Sequence, residues 1–285
     1  MFDKYKVVSL LFLLVVRPCS AGEESLVIDG VQQSSLMFRS FDKKYGGWSD
    51  IEYKGSGGTF RLYALPNKTG PSEEGVVGNS DVDMVSPDKK YVIVQRTNAG
   101  ETVDEQGKNI ISEQAYCDVV SLESGCVENI GSVNQCDGAW QGQNWKVAEG
   151  EIFNFSKGGV SPRQLISKVS NLSSDEFRAS SLRDWIFMGV PSYMACYPPE
   201  KNISEYNDIG FYFAQGGEHL LAMQIYNKLL SFAPDRVPLK LNIADSLWAL
   251  GKKEEAISFY ADYRDSMLKK GNEKKVPARV EERLH

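Results

Sequence analysis

Apolar and polar positions fall into two regimes along this chain, and the change comes near Ser161. Before it, short apolar runs alternate with polar residues and are broken by glycine, the pattern of strands and turns. Ile51-Glu-Tyr53 alternates, and Leu62 is the apolar centre of Thr59-Phe-Arg-Leu-Tyr-Ala-Leu65. Between them Gly55, Gly57 and Gly58 mark a hairpin tip. Pro66 to Asn79 is polar and rich in Gly and Pro, which predicts a loop. Ser86-Pro-Asp-Lys-Lys-Tyr-Val-Ile-Val94 predicts a turn and then a strand, and Cys117-Asp-Val-Val-Ser-Leu-Glu-Ser-Gly125 a strand entering a turn. The strand pattern runs on from Cys126 to Lys146 through Trp140 and Trp145, rings expected to cover the end of a small sheet.

After Ser161 the period becomes helical. Pro162 opens a helix through Leu172, and Ser173 with Glu176 forms a capping box for the next one. That second helix, Ser174 to Gly189, places Phe177, Leu182, Trp185 and Ile186 on its buried side. Pro191, Pro198 and Pro199 predict a rigid connector. From Tyr206 to Leu268 one pattern then occurs twice, 34 residues apart: Gly210, Phe213, Gly217, Ala222 and Tyr226 are matched by Ala244, Leu247, Gly251, Ala256 and Tyr260. Small residues at the first and fourth positions let two helices approach closely. The glycines at the third fall in turns that end a helix in the left-handed conformation. Pro234 closes the first unit. Two helical hairpins follow from this pattern, with a short helix after Val276-Pro277, ending near Leu284, as a terminal cap.

The 34-residue unit resembles the tetratricopeptide repeat, TPR, in its small, aromatic and proline positions over residues 203–268. Lys240 stands in the second unit's usual aromatic place and Leu268 in its proline place. The resemblance implies a groove lined by the first helix of each hairpin, holding an extended peptide or a partner's helix. In that frame Asn207, Phe211 and Gln215 face the groove from one unit, and Asn242, Asp245 and Trp248 from the next. Phe211 and Trp248 beside Asp245 suit a partner of mixed apolar and basic character. Only Asn242 matches the family's carboxylate clamp. The turns in 86–125 resemble one blade of a TolB-like or WD-type propeller. A propeller needs several blades, so a small antiparallel sheet or sandwich is expected instead.

The chain thus reads as α+β: a leader at 1–21, an antiparallel β domain at 22–160, a helical connector at 161–200 and TPR-like hairpins at 201–285. The leader rests on Lys4 and Lys6, the apolar run Val7 to Val16 and the small residues before Gly22, which predict cleavage after Ala21. That run is shorter than the ~20 residues a membrane span needs. Removing Cys19 leaves Cys117, Cys126, Cys136 and Cys196, an even set that suits an oxidising compartment, periplasmic or secreted. A hairpin loop centred on Gly131 would set Cys126 opposite Cys136, leaving Cys117 for Cys196. Four cysteines allow three arrangements, and this is the one that spacing favours. Asn67, Asn154, Asn171 and Asn202 lie in glycosylation sequons, but repeats behind a leader look more like a bacterial envelope protein.

Charge and chemistry narrow the function. Net charge is -6 and the pI near 5.2, with no basic stripe for nucleic acid. The cluster Lys269, Lys270, Lys274 and Lys275 is offset by Glu273, Glu281 and Glu282. There are two histidines, His219 and His285, in places that suit neither a metal site nor a catalytic triad. No zincin, P-loop or nucleophile-elbow motif occurs, and Asp81 with Asp83 reads as a solvated turn. No catalytic residue, cofactor or metal is expected. A protein or peptide partner is expected, without stable membrane insertion, and the sequence leaves the oligomeric state open. A scaffold that recruits a polypeptide fits best, then an immunity-type inhibitor of a toxin. A hydrolase on the β domain would need convergent carboxylates in a pocket.

Overall fold

The alternation read in the first half becomes two antiparallel sheets, β1 to β11, and the second half becomes eight helices, so the fold is α+β. A computed structural model describes residues 25–65, 76–103, 105–148, 150–153, 155 and 159–285. The expected leader, with its cleavage point, and the sequons at Asn67 and Asn154 lie outside those residues.

The large sheet is built from β1 (Leu26–Asp29), β2 (Ser35–Asp42), β3 (Gly47–Gly55), β5 (Val76–Asn79), β6 (Tyr91–Val103), β7 (Asn109–Ser121) and β8 (Val127–Ser132) in that order, with β4 (Gly58–Leu62) also paired to β3. The β3–β4 hairpin turns between Gly55 and Gly58, where the glycines placed it. Val76 to Asn79, expected as the end of a loop, is instead a strand. Its backbone is claimed on one side by Gln95–Asn98 of β6 and on the other by Trp48 of β3. Composition could not reveal that, because the pairing partners lie far off in sequence. A second sheet stacks β9 (Gly138–Gln141), β10 (Asn144–Val147) and β11 (Ile152–Phe153).

The run Tyr91-Val-Ile-Val94 is apolar throughout because both faces of the sheet are covered. Val92 and Val94 pack with Val120 and Leu122 in the core shared with the helices. Ile93 points the other way, into a smaller core with Val119, Trp145 and Val147. Trp145 is fully buried there and crosses Trp140 edge to face at 5.3 Å, as expected for core rings.

The helices are α1 (Pro162–Val169), α2 (Asp175–Trp185), α3 (Val190–Cys196), α4 (Ile203–Gln215), α5 (His219–Leu230), α6 (Val237–Ala249), α7 (Lys253–Lys269) and α8 (Ala278–Leu284). Ser161 and Gln164 form the capping box, at α1; α2 is capped by Ser174, one residue later than the spacing of Ser173 and Glu176 suggested. At about 3.6 residues per turn, Phe177 stands on the side of α2 opposite Leu182 and Ile186. Leu182 and Ile186 are buried as expected, but Phe177 is 66% and Trp185 40% exposed. Pro191 does not stiffen a connector; it sits in the first turn of α3, where its missing N–H costs no hydrogen bond.

Helix α3 ties the two halves. Its Ser192 hydroxyl donates to Gly125 O at 2.7 Å, and Cys196 is disulfide-bonded to Cys126 beside it. The other disulfide joins Cys117 to Cys136. The expected pairing is therefore corrected. Gly131 is no hairpin tip: β8 runs through it opposite Cys117, and a 3-10 turn at Val133–Cys136 folds back to bring Cys136 onto β7. The true turn lies at Glu123-Ser124 and sets Ser121 opposite Cys126.

Candidate functional site

In the hairpins α4–α5 and α6–α7, each position singled out at the 34-residue spacing has a physical task. A Cβ at Gly210 would stand 2.4 Å from the Tyr226 ring, so only glycine admits that ring between α4 and α5. Phe213, Ala222 and Tyr226 of the first hairpin are fully buried, as are Ala244, Ala256 and Tyr260 of the second, with Leu247 nearly so. Gly217 and Gly251 end the first helix of each hairpin at φ +80° and +77°. Helix α2 lies against α4 much as α5 lies against α6, so α1 and α2 extend the stack on the sheet side.

The six residues expected on the groove separate into three kinds. Phe211 (43% exposed) and Gln215 are on the surface of α4. Asn207 is buried, and its side-chain oxygen accepts from Asn242 Nδ2 at 3.2 Å across the α4–α6 contact. It therefore bridges the two helices. Asp245 and Trp248 are half-buried under the chain's own α8. Arg279 donates through Nε and Nη2 to the two oxygens of Asp245, at 3.1 and 2.8 Å. Arg283 donates to Asp245 Oδ1 at 2.8 Å and also contacts the Tyr260 hydroxyl, which itself donates to Asp245 at 2.7 Å. The Arg283 guanidinium lies 5.0 Å over the Trp248 ring.

Electrostatics follows this geometry. Partial burial alone would raise the Asp245 carboxyl, but hydrogen bonds from Arg279 and Tyr260 and the charges of Arg279 and Arg283 hold it below its ordinary value. Burial and the hydrogen bond to Asp245 push the Tyr260 hydroxyl up to about 12. The basic chemistry expected of a partner at Asp245 is thus supplied from within the chain. The terminal helix lies where the sequence predicts a cap, but Arg279 and Arg283 are not among the residues its pattern singles out. The signal was available, since Arg279 stands 34 residues after Asp245, which stands 34 after Phe211.

A second constellation, absent from the sequence reading, occupies the seam between sheet and helices. On the helix-facing side of β6 and β7, Val92, Val94 and Val120 give way to Arg96, Asn98, Tyr116 and Asp118. Arg96 Nε donates to Asp118 at 2.7 Å, and its Nη1 donates to Asn98 at 2.8 Å; Asn129 Nδ2 donates to Asp118 Oδ1 at 2.8 Å. The guanidinium is flanked by the rings of Tyr116 and Phe187 at 4.3 and 4.2 Å. Burial pushes the Asp118 carboxyl up, against the pull of Arg96 and Asn129. Burial also raises Glu128 and Asp184 nearby. Tyr63, at the edge of this cluster, holds φ +59°, a left-handed conformation that is costly for a bulky residue.

The Asp81 carboxylate caps a short 3-10 turn, accepting from the backbone of Asp83 and Met84, as a solvated turn would. Among the described residues no group of His, Cys, Asp and Glu is placed to hold a metal ion, and no helix is long and apolar enough to cross a membrane. No protein-family model and no curated protein sequence matches this chain.

Proposed function

We propose that this protein is an exported, non-catalytic binding protein whose tetratricopeptide-like hairpins hold a polypeptide partner. Support for export comes from the charged and apolar start of the chain and from the two disulfides, which suit an oxidising compartment such as the periplasm. The non-catalytic part rests on the sequence, which carries no zincin, P-loop or nucleophile-elbow motif.

One observation carries the reading. Phe211 and Asp245 occupy the same position in successive hairpins, yet Asp245 is covered by α8 whereas Phe211 stays exposed with Gln215 a turn away. A large exposed ring on a rigid helix, beside polar groups, is the kind of anchor that protein interfaces use. The partner surface is then apolar at Phe211 and neutral-polar at Gln215, because the acidic group is already engaged.

The test is site-specific photo-crosslinking in producing cells, with p-benzoylphenylalanine at position 211 or, as a control, at position 257 of α7. A discrete polypeptide adduct from 211 but not from 257 is expected. Equal adducts from both positions, or none from 211, would reject the reading. In the same experiment, mass spectrometry of the envelope fraction should find a mature chain beginning at Gly22.

A further inference from the structure

We infer that the seam between sheet and helices is a binding trough for a neutral oligosaccharide. This site is separate from the α4–α6 face and does not depend on the polypeptide reading. Two cavities of about 620 and 630 Å³ adjoin there, with Asn129, Trp185 and Phe187 as their common wall. Each is of the size that holds a small ligand, and together they form an elongated site.

The walls carry the chemistry a sugar needs. A pyranose ring presents a face of C–H bonds, which packs on an aromatic plane, and a rim of hydroxyls that donate and accept. Trp185 supplies such a plane: it is 40% exposed at the end of α2, on the wall of both cavities. The rim partners are planar polar groups: the amides of Asn98, Asn129 and Gln164 and the carboxyl of Asp184. Asp184 can meet two adjacent hydroxyls, whereas each amide has one atom bonded inside the protein, Asn98 Oδ1 to Arg96, Asn129 Nδ2 to Asp118 and Gln164 Oε1 to Ser161, and offers its other atom.

Charge points to a neutral ligand. Arg96 is neutralised by Asp118, and Arg183 is paired with Glu218 at 3.3 Å. Lys168 is outnumbered by two carboxyls, Glu128 and Asp184, on the same walls. A phosphate or a polyanion would meet no surplus of positive charge.

Two further features indicate that the trough is built for an occupant. Tyr197 lines one cavity, and its hydroxyl, closed off from solvent, has no hydrogen-bond partner among the described residues. A buried hydroxyl left unpaired is costly, and a small rotation of this ring toward the cavity would let a sugar hydroxyl satisfy it. Tyr63 keeps its strained backbone at the other cavity, where its ring stacks on Phe187 and its N–H donates to Met188 O at 2.9 Å. Strain that persists against its cost is concentrated at ligand sites.

Lys168 gives the proposal its sharpest test. Its ammonium stands 5.0 Å over the Trp185 ring, where a sugar would pack. Full-length oxidised protein is titrated calorimetrically with maltotriose, cellotriose, chitotriose and mannotriose, and with trigalacturonate as the anionic comparison. At least one neutral trisaccharide should bind saturably, with little dependence on salt. Trp185→Ala should weaken it about tenfold, whereas Lys168→Ala, which uncovers the ring, should tighten it. Should Trp185→Ala lose its fold, Asp184→Ala must show the weakening instead. Phe211→Ala must leave sugar binding intact, which separates this site from the polypeptide face. The proposal is overturned if no neutral trisaccharide binds up to about 10 mM, if only trigalacturonate binds, or if Lys168→Ala abolishes binding.

Discussion

Two clusters in this molecule are made of the same parts. Arg96 meets Asp118 between the rings of Tyr116 and Phe187; Arg279 and Arg283 meet Asp245 beside Trp248 and Tyr260. The first pair is buried at the seam, with almost no exposed side-chain surface, while the second remains partly open to water. The carboxylates respond in opposite directions. Burial raises Asp118 even with a guanidinium bound to it, whereas hydrogen bonds and two guanidinium charges outweigh partial burial at Asp245 and lower it. An ion pair has no fixed worth: solvent screens the open one, and desolvation makes the buried one costly to break.

The largest effect should come from breaking the buried cluster on one side only. Arg96→Met leaves Asp118 buried without its partner and should cost about 3–5 kcal/mol in urea unfolding. Replacing both residues, Arg96→Met with Asp118→Leu, should recover much of that loss. A cost for Arg96→Met under about 1 kcal/mol would mean this pair is screened like a surface one.

The disulfides sharpen the contrast between seam and sheet. Cys126–Cys196 spans a sequence separation of 70, against 19 for Cys117–Cys136. Chain-closure entropy then assigns the first about 4 kcal/mol and the second about 3. Paired Cys→Ala variants should rank in that order by denaturant midpoint, and the reverse ranking would count against a seam held in this way.

The open cluster should yield least. Asp245→Ala is expected to lower stability by about 1 kcal/mol and to raise amide hydrogen exchange in α8, with the sheet unaffected. Acid should do the same. Because the folded Asp245 carboxyl is lowered, its contribution is complete above the ordinary carboxylate value, near 4, and is lost as pH falls through the lowered one. At Asp118 the sign is opposite, since a raised carboxyl favours folding at low pH and loses that contribution as pH rises. Exchange in α8 that stays slow well below pH 4 would show that α8 is held by the packing of Val280 and Leu284 and not by this cluster. Smallest of all, Phe211→Ala should change stability by no more than about 0.5 kcal/mol, since its ring is largely in water.

What the sequence determined by itself is what repeats or is encoded locally. The change from strand to helix near Ser161, the hairpin at Gly55 to Gly58, and the small residues at Gly210, Ala222, Ala244 and Ala256 were all legible, because each follows from periodicity or from the space a side chain needs. Phe211, Gln215, Asp245 and Trp248 were placed on the right helices for the same reason. Only the tertiary structure decided which of them stay in reach: Asn207 is consumed by Asn242 and Asp245 by α8. It also decided the disulfides, because a 3-10 turn carries Cys136 back to Cys117. Above all it decided the seam. Arg96, Asp118, Asn129 and Trp185 are scattered over some 90 residues, and no local period relates them. Strand register and the end of α2 bring them together, and burial, which no window of sequence contains, gives their charges and rings a common environment.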